Sequence, residues 1–391
     1  LVKSDSLVPQ NDPSVLFTSA GMNQFKEHFL GRNKEYKRAT SCQKCMRTGD
    51  LEEVGRTACH HTFFEMLGNF SFGDYFKKEA IEWGWEFVTK VLEIDPNDLW
   101  VSVYEDDPEA LDIWHKHMGL PLEKIKKFGQ KDNFWPSNAI KDGPNGPCGP
   151  CSEIYYQKKN GESVEVWNLV FTQFNRQDGG VLEPLPSKNI DTGMGLERMS
   201  AVLQGVDSNF EIDIFKPIVD SVKKSVDTTD LKSIYKISDH ARAVTFAIGD
   251  GVLPSNDGRG YVVRKLIRLC SYYAANKKPK PFLYKIVSSV ASSMGDQYAE
   301  IAERRDNIAQ IIKAEEEKYI KNILEGGTKK LSSVVEGLKK SGQNRLPSET
   351  GLDLYVTYGI QPELTKDFCE KEGIAVDLSG IDELIKQEQE K

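Results

Sequence analysis

The stretch DTGMGLER, residues 191–198, follows a strand-like run at residues 164–171, VEVWNLVF. Its two glycines carry no Cβ, so the backbone can approach a ligand closely at these positions. The spacing of Leu196, Met199 and Leu203 predicts a helix that begins at this glycine turn. Arg198 would then lie in the first helical turn, where the helix N-terminus favours phosphate. This pattern favours a site for a small amino acid and a nucleotide. It combines a strand that carries an amide, an acid on a glycine turn and an arginine at the start of a helix.

Length and composition indicate a soluble chain of more than one domain. The 391 residues are enough for two or three domains, and 28% of them are charged. No apolar run approaches the length of a membrane span, so we expect no membrane association. Residues 1–6 lack the apolar segment of a signal peptide, and the chain does not begin with methionine. We therefore expect a fragment or a processed chain, monomeric as a fragment.

The cysteine content indicates the cellular compartment, and the net charge limits how the chain can bind nucleic acid. Seven cysteines, an odd number in a long chain, predict reduced thiols in a cytosol-like compartment, and hence a cytoplasmic protein. The net charge of −8 gives no bulk attraction for nucleic acid. Any RNA contact must therefore come from local basic patches.

The pattern along the chain changes from mixed to helical. Residues 1–75 and 98–190 read as strands, turns and loops, with helical spacing at 76–95, and the chain becomes mostly helical from about 212. We place the boundary near 230, which predicts an α+β domain at 1–230 and an α-helical domain at 231–391.

Asn168 is the first candidate for chemistry. Strand alternation would put it on one face with Val164, Val166 and Val170. A lone amide among valines is costly unless it is hydrogen-bonded. It either bonds neighbouring backbone or holds the carbonyl or amine of a small ligand.

Asp191 and Arg47 each allow two interpretations. Asp191 either caps the helix beyond the glycine turn or holds an ammonium group in a charge-assisted bond. Arg47, followed by histidines at 60 and 61, is either a surface residue or part of a phosphate clamp.

The cysteines suggest a metal site that their spacing argues against. Cys42 and Cys45 form one CxxC pair, and Cys148 and Cys151 form another within GPCGPCSE, which reads as a tight loop of small residues. Two such pairs resemble a four-thiolate zinc site. The pairs lie far beyond the usual spacing of zinc ribbons, so we predict no bound zinc.

Basic residues gather in the second half of the chain. Arg264 and Arg268 are spaced to share one helical face, and residues 275–281 add further charge on a loop. Such a face either contacts nucleic acid or is simply solvated.

Six segments together resemble the alanyl-tRNA synthetases, one family of the class II aminoacyl-tRNA synthetases. They span nearly the whole chain in the family's order: residues 17–25 (FTSAGMNQF), 60–75 (HHTFFEMLGNFSFGDY), 146–154 (GPCGPCSEI), 166–171 (VWNLVF), 191–198 (DTGMGLER) and 258–263 (GRGYVV). The resemblance implies an α+β fold: an antiparallel class II catalytic sheet flanked by helices, followed by a helical tRNA-recognition domain. It implies ATP-dependent activation of L-alanine to alanyl-adenylate and transfer to alanine tRNA, with ATP and Mg²⁺ as cofactors.

The same resemblance implies roles for individual residues. Arg47 takes the place of the arginine that grips the α-phosphate, and Arg198 that of the arginine at the adenine and γ-phosphate. These two are the catalytic residues, since in-line displacement at phosphorus needs positioning and charge neutralisation rather than a general base. Asn168 and Asp191 match the alanine-binding amide and the acid for the ammonium. The nucleotide contacts include His61, Trp135, the backbone of Val166 and Trp167, Asn168 and Gly195.

For tRNA, the resemblance places Asn256, Arg259 and Arg264 near a G·U pair of the acceptor stem. The family also carries an aspartate in a Leu-Tyr-Asp-Thr-Tyr-Gly stretch, where this chain reads LYVTYG with Val356 at that position. We therefore expect weakened discrimination at this pair.

Three departures from the family matter. No amphipathic helix precedes Leu1, and the loop Thr48-Gly49-Asp50 after Arg47 is shorter than the family's. Either could be a true deletion, which would affect closure over ATP. The histidine and cysteine pairs of the editing domain are absent, so we expect no hydrolysis of mischarged tRNA.

Two other functions stay open at this stage. The chain could activate a small amino acid for a carrier other than tRNA, which the length and basic faces of the helical half disfavour. It could also be a catalytically silent RNA-binding relative, which the presence of Arg47, Asn168, Asp191 and Arg198 disfavours.

Overall fold

The structure, a computed structural model, describes residues 1–9, 15–274, 280–321 and 325–389. The chain forms two compact units. The first comprises Leu1–Glu53 and Thr57–Ile212, and the second comprises Val54–Arg56 and Asp213–Lys391. The sequence placed the functional boundary after residue 230, and those functional limits stay a prediction.

The first unit is built on one large, mainly antiparallel sheet. Its strands are β1 (Arg38–Met46), β2 (Phe63–Phe72), β3 (Leu99–Tyr104), β4 (Ile125–Phe128), β5 (Phe134–Trp135), β6 (Gly146–Gln157), β7 (Ser163–Arg176) and β8 (Leu182–Gly195). They lie in the order β1-β2-β8-β7-β6-β3-β4, and β5 pairs with β6. Only β3 and β4 pair in parallel among these strands of the described ranges. The predicted α+β fold with an antiparallel sheet flanked by helices is confirmed.

Helices of the first unit bury one face of this sheet. They are α2 (Lys77–Glu86), α3 (Pro108–Asp112) and α4 (Leu196–Gln204), whereas α1 (Lys26–Phe29) packs through Phe29 in a separate apolar cluster with Phe70 of β2. Ile81 of α2 and Trp114, just beyond α3, are fully buried against Val101, Ile154 and Leu169 of the strands. Each such side chain contributes about 1.5–3 kcal/mol of transfer free energy. The opposite face of the central strands carries several polar side chains, among them Glu153, Asn168 and Asp191.

A β-bulge at Val166 corrects the predicted pattern of β7. Residues 155 and 154 of β6 pair with residues 165 and 167 of β7, so Val166 is the extra residue. It packs in the helix-covered core together with Val164. Asn168 and Val170 face the other side, where they line a cleft. The prediction that all four share one face is wrong, because a period of two does not continue through a bulge.

The DTGMGLER stretch joins β8 directly to α4. The predicted helix is confirmed and begins at Leu196, with Gly195 as its N-cap. The predicted glycine turn is wrong, because strand β8 continues through Gly195. Leu203 is 48% exposed. The buried face of α4 is rotated toward Glu197, whose carboxylate oxygens each accept a hydrogen bond from the Glu65 amide at 3.1 Å.

The second unit is almost entirely helical, as predicted. Its helices are α5 (Lys216–Ser225), α6 (Leu231–Gly249), α7 (Gly258–Tyr273), α8 (Leu283–Met294), α9 (Ala299–Glu303), α10 (Arg305–Tyr319), α11 (Glu325–Lys340), α12 (Ser348–Tyr358), α13 (Pro362–Lys371) and α14 (Leu378–Gln389). Two short parallel strands, β9 (Arg345–Leu346) and β10 (Ala375–Val376), complete it. No helix in the described parts of either unit is long and apolar enough to cross a membrane.

Candidate active site

A cleft of about 540 Å³ lies on the open face of the sheet, within the first unit. Side chains reach it from the ends of β1 and β5, the middles of β6, β7 and β8, and the first turn of α4. Seven of the predicted site residues line it: Arg47, His61, Trp135, Asn168, Asp191, Gly195 and Arg198. The sequence prediction therefore converges on one cavity.

The side chains of Val166 and Trp167 do not line this cavity. Val166 is 1% exposed, in the core that α2 covers. The Trp167 ring packs edge-on against Phe87, with the ring centroids 5.7 Å apart. The resemblance implied only backbone contacts to a nucleotide here, and those contacts stay a prediction.

Arg47 extends from the end of β1 with its guanidinium free at the tip. Its Nε donates a hydrogen bond to the Ser19 carbonyl oxygen at 3.0 Å, and its Cζ lies 5.1 Å from the centre of the Phe64 ring. The two terminal nitrogens have no partner among the described residues. A fork anchored at one nitrogen and free at two suits a bidentate contact with phosphate.

Arg198 is anchored in a similar way from the other side of the cleft. Its Nη1 donates to the Glu165 carbonyl oxygen at 2.8 Å and to the Glu165 carboxylate at 3.2 Å. The side chain is 26% exposed. Glu165 therefore fixes the guanidinium while leaving its other nitrogens to an anionic or aromatic ligand. Sequence reasoning missed Glu165, since nothing local marks a carboxylate that will meet an arginine 33 residues later.

His61 is buried beside the cleft and held on two sides. Its ring packs edge-on against Phe210 with centroids 4.9 Å apart, and its Nε2 lies 3.0 Å from the Asn209 amide nitrogen. The ring can reorient little, so His61 presents a fixed edge to the cleft.

Asn168 is oriented by Glu153 on the neighbouring strand. The two residues are direct cross-strand partners of β6 and β7, and Asn168 Nδ2 donates to Glu153 Oε1 at 3.2 Å. Asn168 Oδ1 is buried without a hydrogen-bond partner among the described residues. Burial and the nearby Glu165 raise the pKa of Glu153 to about 7. An unpaired buried acceptor is costly, so this amide oxygen favours a ligand that donates.

Asp191 is a buried carboxylate without a countercharge. It lies in the middle of β8, opposite Val170 of β7, and is 6% exposed. No described residue donates a hydrogen bond to it, and burial alone raises its pKa to about 7. The helix-cap alternative is excluded, because Gly195 occupies the cap position of α4. A buried acid of this kind favours a cationic ligand.

The acids of the cleft fit a magnesium ion that enters with a nucleotide. No group of three or more histidine, cysteine or acidic side chains in the described ranges is arranged to hold a metal by itself. Several carboxylates nevertheless line the cleft, among them Asp132, Glu165 and Glu197. Mg²⁺ is commonly bound by one or two carboxylates together with substrate phosphates, and Asp132 could serve in this way, whereas Glu165 already binds Arg198 and Glu197 accepts from the Glu65 amide.

The two CxxC pairs cannot share one metal. Cys42 and Cys45 lie on β1, and Cys148 and Cys151 on β6, with three strands between them. Four strand spacings separate them by roughly 19 Å. The predicted tight loop around Cys148 is wrong: these residues form β6, where a Cβ on Gly149 would lie 2.1 Å from the Phe171 carbonyl oxygen. Glycine is needed there for close strand packing.

We predict that the purified protein contains no stoichiometric zinc. Burial raises the pKa of the Cys45 thiol to about 12 and that of Cys148 to about 11, which disfavours the thiolates that zinc binds. A chelator should leave the melting temperature unchanged. Metal analysis that finds one zinc per chain would contradict this prediction.

The residues predicted to contact tRNA lie in the second unit. Arg264 on α7 donates through Nη1 to Asn256 Oδ1, and its Nε lies 3.1 Å from Glu315 of α10. Arg268 bonds the same carboxylate at 3.1 Å. Arg264 and Arg268 thus share a helical face as predicted, but Glu315 neutralises it. Asn256 is exposed and Arg259 partly exposed at the start of α7. Residues 275–279 of the predicted basic loop lie outside the described residues.

A family model matches the whole length of this chain. The model described as "tRNA synthetases class II (A)" matches residues 1–391. The chain belongs to this class II tRNA synthetase family. Three relatives carry the name Alanine--tRNA ligase. That of Rhodopirellula baltica is 49% identical, over 98% of this chain and 42% of its own length. The relative from Carboxydothermus hydrogenoformans is 47% identical, over 99% and 46%.

The third relative, from Nitrosospira multiformis, is 45% identical over 100% of this chain and 47% of its own length. The resemblance to alanyl-tRNA synthetases is confirmed by these relatives. The chain spans less than half the length of each of the three.

Proposed function

We propose that this class II synthetase chain activates L-alanine with ATP and transfers the alanyl group to alanine tRNA. The observation that carries the proposal is the buried Asp191 carboxylate without a countercharge, in one cleft with the unpaired Asn168 oxygen and two anchored arginines. An amino acid supplies an ammonium for the first pair, and a nucleotide supplies phosphates for the arginines. The full-length relatives named for this activity support the assignment.

The first step is an in-line displacement that needs no proton transfer. A carboxylate oxygen of alanine attacks the α-phosphorus of ATP, a phosphorus–oxygen bond breaks, and pyrophosphate leaves. Asp191 and Asn168 hold the ammonium, so that the carboxylate points toward the phosphate. Arg47 neutralises charge on the α-phosphate, and Arg198 binds the adenine and γ-phosphate. Carboxylates of the cleft such as Asp132 would hold a Mg²⁺ ion together with the phosphates, and the ion would supply further charge neutralisation.

The second step transfers alanine to the terminal adenosine of tRNA. A ribose hydroxyl attacks the carbonyl carbon of alanyl-adenylate, AMP leaves, and the hydroxyl proton is released. In this proposal residues 1–230 carry aminoacylation and residues 231–391 recognise the acceptor stem, in a cytoplasmic protein that is monomeric as this chain. Asn256, Arg259 and Arg264 approach the stem.

Charging of total tRNA tests the proposal against its alternatives. Incubation with ATP and a mixture of amino acids, followed by hydrolysis of the purified tRNA, should release alanine. Activation of alanine without transfer to any tRNA would instead favour a carrier other than tRNA. Binding of tRNA without activation would favour a silent relative.

We predict weak discrimination at the acceptor-stem pair. Val356 on α12 is 58% exposed, and its side chain can neither accept a hydrogen bond nor reject a mismatched donor. A G·C stem should be charged within about tenfold of a G·U stem, since one base contact is worth about 1–3 kcal/mol. Val356→Asp should restore the preference. Charging kinetics on two minihelices that differ only at that pair measure it, and a thousandfold preference in the unaltered protein would contradict it.

A further inference from the structure

Glu153 is a buried carboxylate whose two oxygens have different partners. It lies on β6 and is 5% exposed. Its Oε2 accepts hydrogen bonds from the Tyr155 hydroxyl at 2.6 Å, the Ser102 hydroxyl at 3.1 Å and Asn133 Nδ2 at 3.4 Å. Its Oε1 accepts from Asn168 Nδ2 at 3.2 Å. Three donors fix one oxygen, and the other meets the amide that lines the cleft.

This arrangement decides which way the Asn168 amide points. Above its pKa of about 7, the Glu153 carboxylate can only accept, so an Asn168 oxygen turned toward it would meet a second acceptor. The neighbouring Cys151 thiol also contacts the Asn168 side chain, but its hydrogen is donated to the Asp132 carbonyl oxygen at 3.8 Å, so it supplies no donor to the Asn168 oxygen. The amide nitrogen therefore faces Glu153, and the oxygen is the atom left unpaired.

We infer that Glu153 is the positioning residue that makes the amino-acid end of the cleft specific for an ammonium group. It acts through Asn168 by holding the amide oxygen, rather than the nitrogen, toward the ligand. The inference rests on the proposed function, since it takes the amino acid to bind between Asn168 and Asp191. These residues lie on one face of adjacent strands, because Gly193 is the direct partner of Asn168 and Asp191 is two residues away on β8. Gly193 adds no side chain between them.

The substitution Glu153→Gln should reverse the orientation of the Asn168 side-chain amide. The three donors that bind Oε2 in the unaltered protein should keep the glutamine oxygen at the Oε2 position. The glutamine amide nitrogen then takes the place of Oε1. It then faces Asn168 Nδ2, donor against donor, and Asn168 turns over to accept from it. Asn168 Nδ2 now points at the ammonium. The KM for alanine should rise about ten- to a hundredfold, the value of a lost hydrogen bond to a charged group, while the KM for ATP stays within about twofold.

A swapped pair of substitutions should restore alanine binding. In the double variant Asn168→Asp, Glu153→Gln, the amide at 153 donates, and either carboxylate oxygen at 168 can accept. An acceptor then faces the ligand whatever the rotation of the side chain. The KM for alanine should return to within about threefold of the unaltered protein. A merely structural role of Glu153 would not produce this rescue.

The matched control acts on the other oxygen of the same carboxylate. Tyr155→Phe removes one of the three donors to Oε2 and leaves the contact between Oε1 and Asn168 intact. Its KM for alanine should change less than about threefold, even though it deletes the shortest hydrogen bond of the cluster.

ATP–pyrophosphate exchange, with alanine and ATP varied independently, measures all four proteins, and thermal melting checks their folding. A raised KM for alanine in Glu153→Gln together with rescue in the double variant supports the inference. The inference is overturned if the KM for alanine is unchanged in Glu153→Gln, or if the KM for ATP rises equally. It is also overturned if the double variant binds alanine no better than the single variant, or if both Glu153 variants are unfolded. Exchange that fails to depend on alanine in the unaltered protein would remove the proposed function itself, and normal exchange with a failed rescue removes only this inference.

Discussion

Asp191→Asn should raise the KM for alanine steeply and leave the KM for ATP nearly unchanged. The carboxylate is buried, and the ammonium is its proposed partner, so its loss removes a charge-assisted bond in a dry pocket. Truncating such a bond costs about 2–5 kcal/mol, and each 1.4 kcal/mol is about tenfold in affinity. Initial-rate exchange kinetics with each substrate varied separately measure the effect.

The same substitution should stabilise the free protein above neutral pH. Burial raises the pKa of Asp191 from 3.8 to about 7 in the folded state, so the folded protein holds this proton more tightly than the unfolded chain. Stability is therefore lost as pH rises from about 4 to about 7, and the loss is complete above 7. At about 1.36 kcal/mol for each pH unit between the two pKa values, the ceiling of the gain is about 4 kcal/mol. Melting temperatures should agree at pH 4 and favour the variant at pH 8.

Kinetics and melting together separate a binding role from a structural one. A variant with normal alanine kinetics and lower stability at every pH would show that Asp191 supports the fold only. In the unaltered protein, kcat/KM for alanine should fall as pH drops through about 7, because a protonated carboxyl no longer binds the ammonium. Glu153 has a similar pKa, so Asp191→Asn should reduce this pH dependence without abolishing it.

Arg198→Lys should lower the exchange rate about a hundred- to a thousandfold, as loss of a preorganised donor to developing charge does in other enzymes. Lysine cannot bond the Glu165 carbonyl oxygen and carboxylate while presenting a planar fork to the nucleotide. The charge is retained, so the loss would come from geometry. Stopped exchange reactions at saturating alanine and ATP measure the rate.

Arg32→Lys is the matched control for this substitution. Arg32 pairs with Glu27 on the surface and is 66% exposed, so the same chemical change should leave exchange unaltered there. An Arg198→Lys protein with a normal rate would remove Arg198 from the catalytic group. If Arg198→Lys abolishes both the exchange reaction and the cooperative melting transition, Arg198 is instead a structural anchor of β7.

Local sequence signals predicted those parts of the molecule that depend on nearby residues. The helix after Gly195 followed from apolar spacing, and Asp191 and Arg198 were marked by their positions around it. The bulge at Val166 was not predictable, since it reflects how β6 and β7 pair rather than any property of β7 alone.

Long-range charge pairing could not be predicted from the sequence for the same reason. Glu315 neutralises Arg268 from 47 residues away, and only the packing of α7 against α10 brings them together. Glu153 orients Asn168 across a strand pair, although its segment reads as a loop of small residues. The sequence marked the groups that line the cleft better than the groups that hold them in place.

ATP–pyrophosphate exchange measured with each of the twenty amino acids in turn shows whether this chain activates alanine. We expect the highest kcat/KM with alanine and weaker exchange with glycine and serine, because one methyl group is worth only about 1–3 kcal/mol of discrimination. Exchange that is highest with a large or charged amino acid, or that is absent with all twenty, would contradict it.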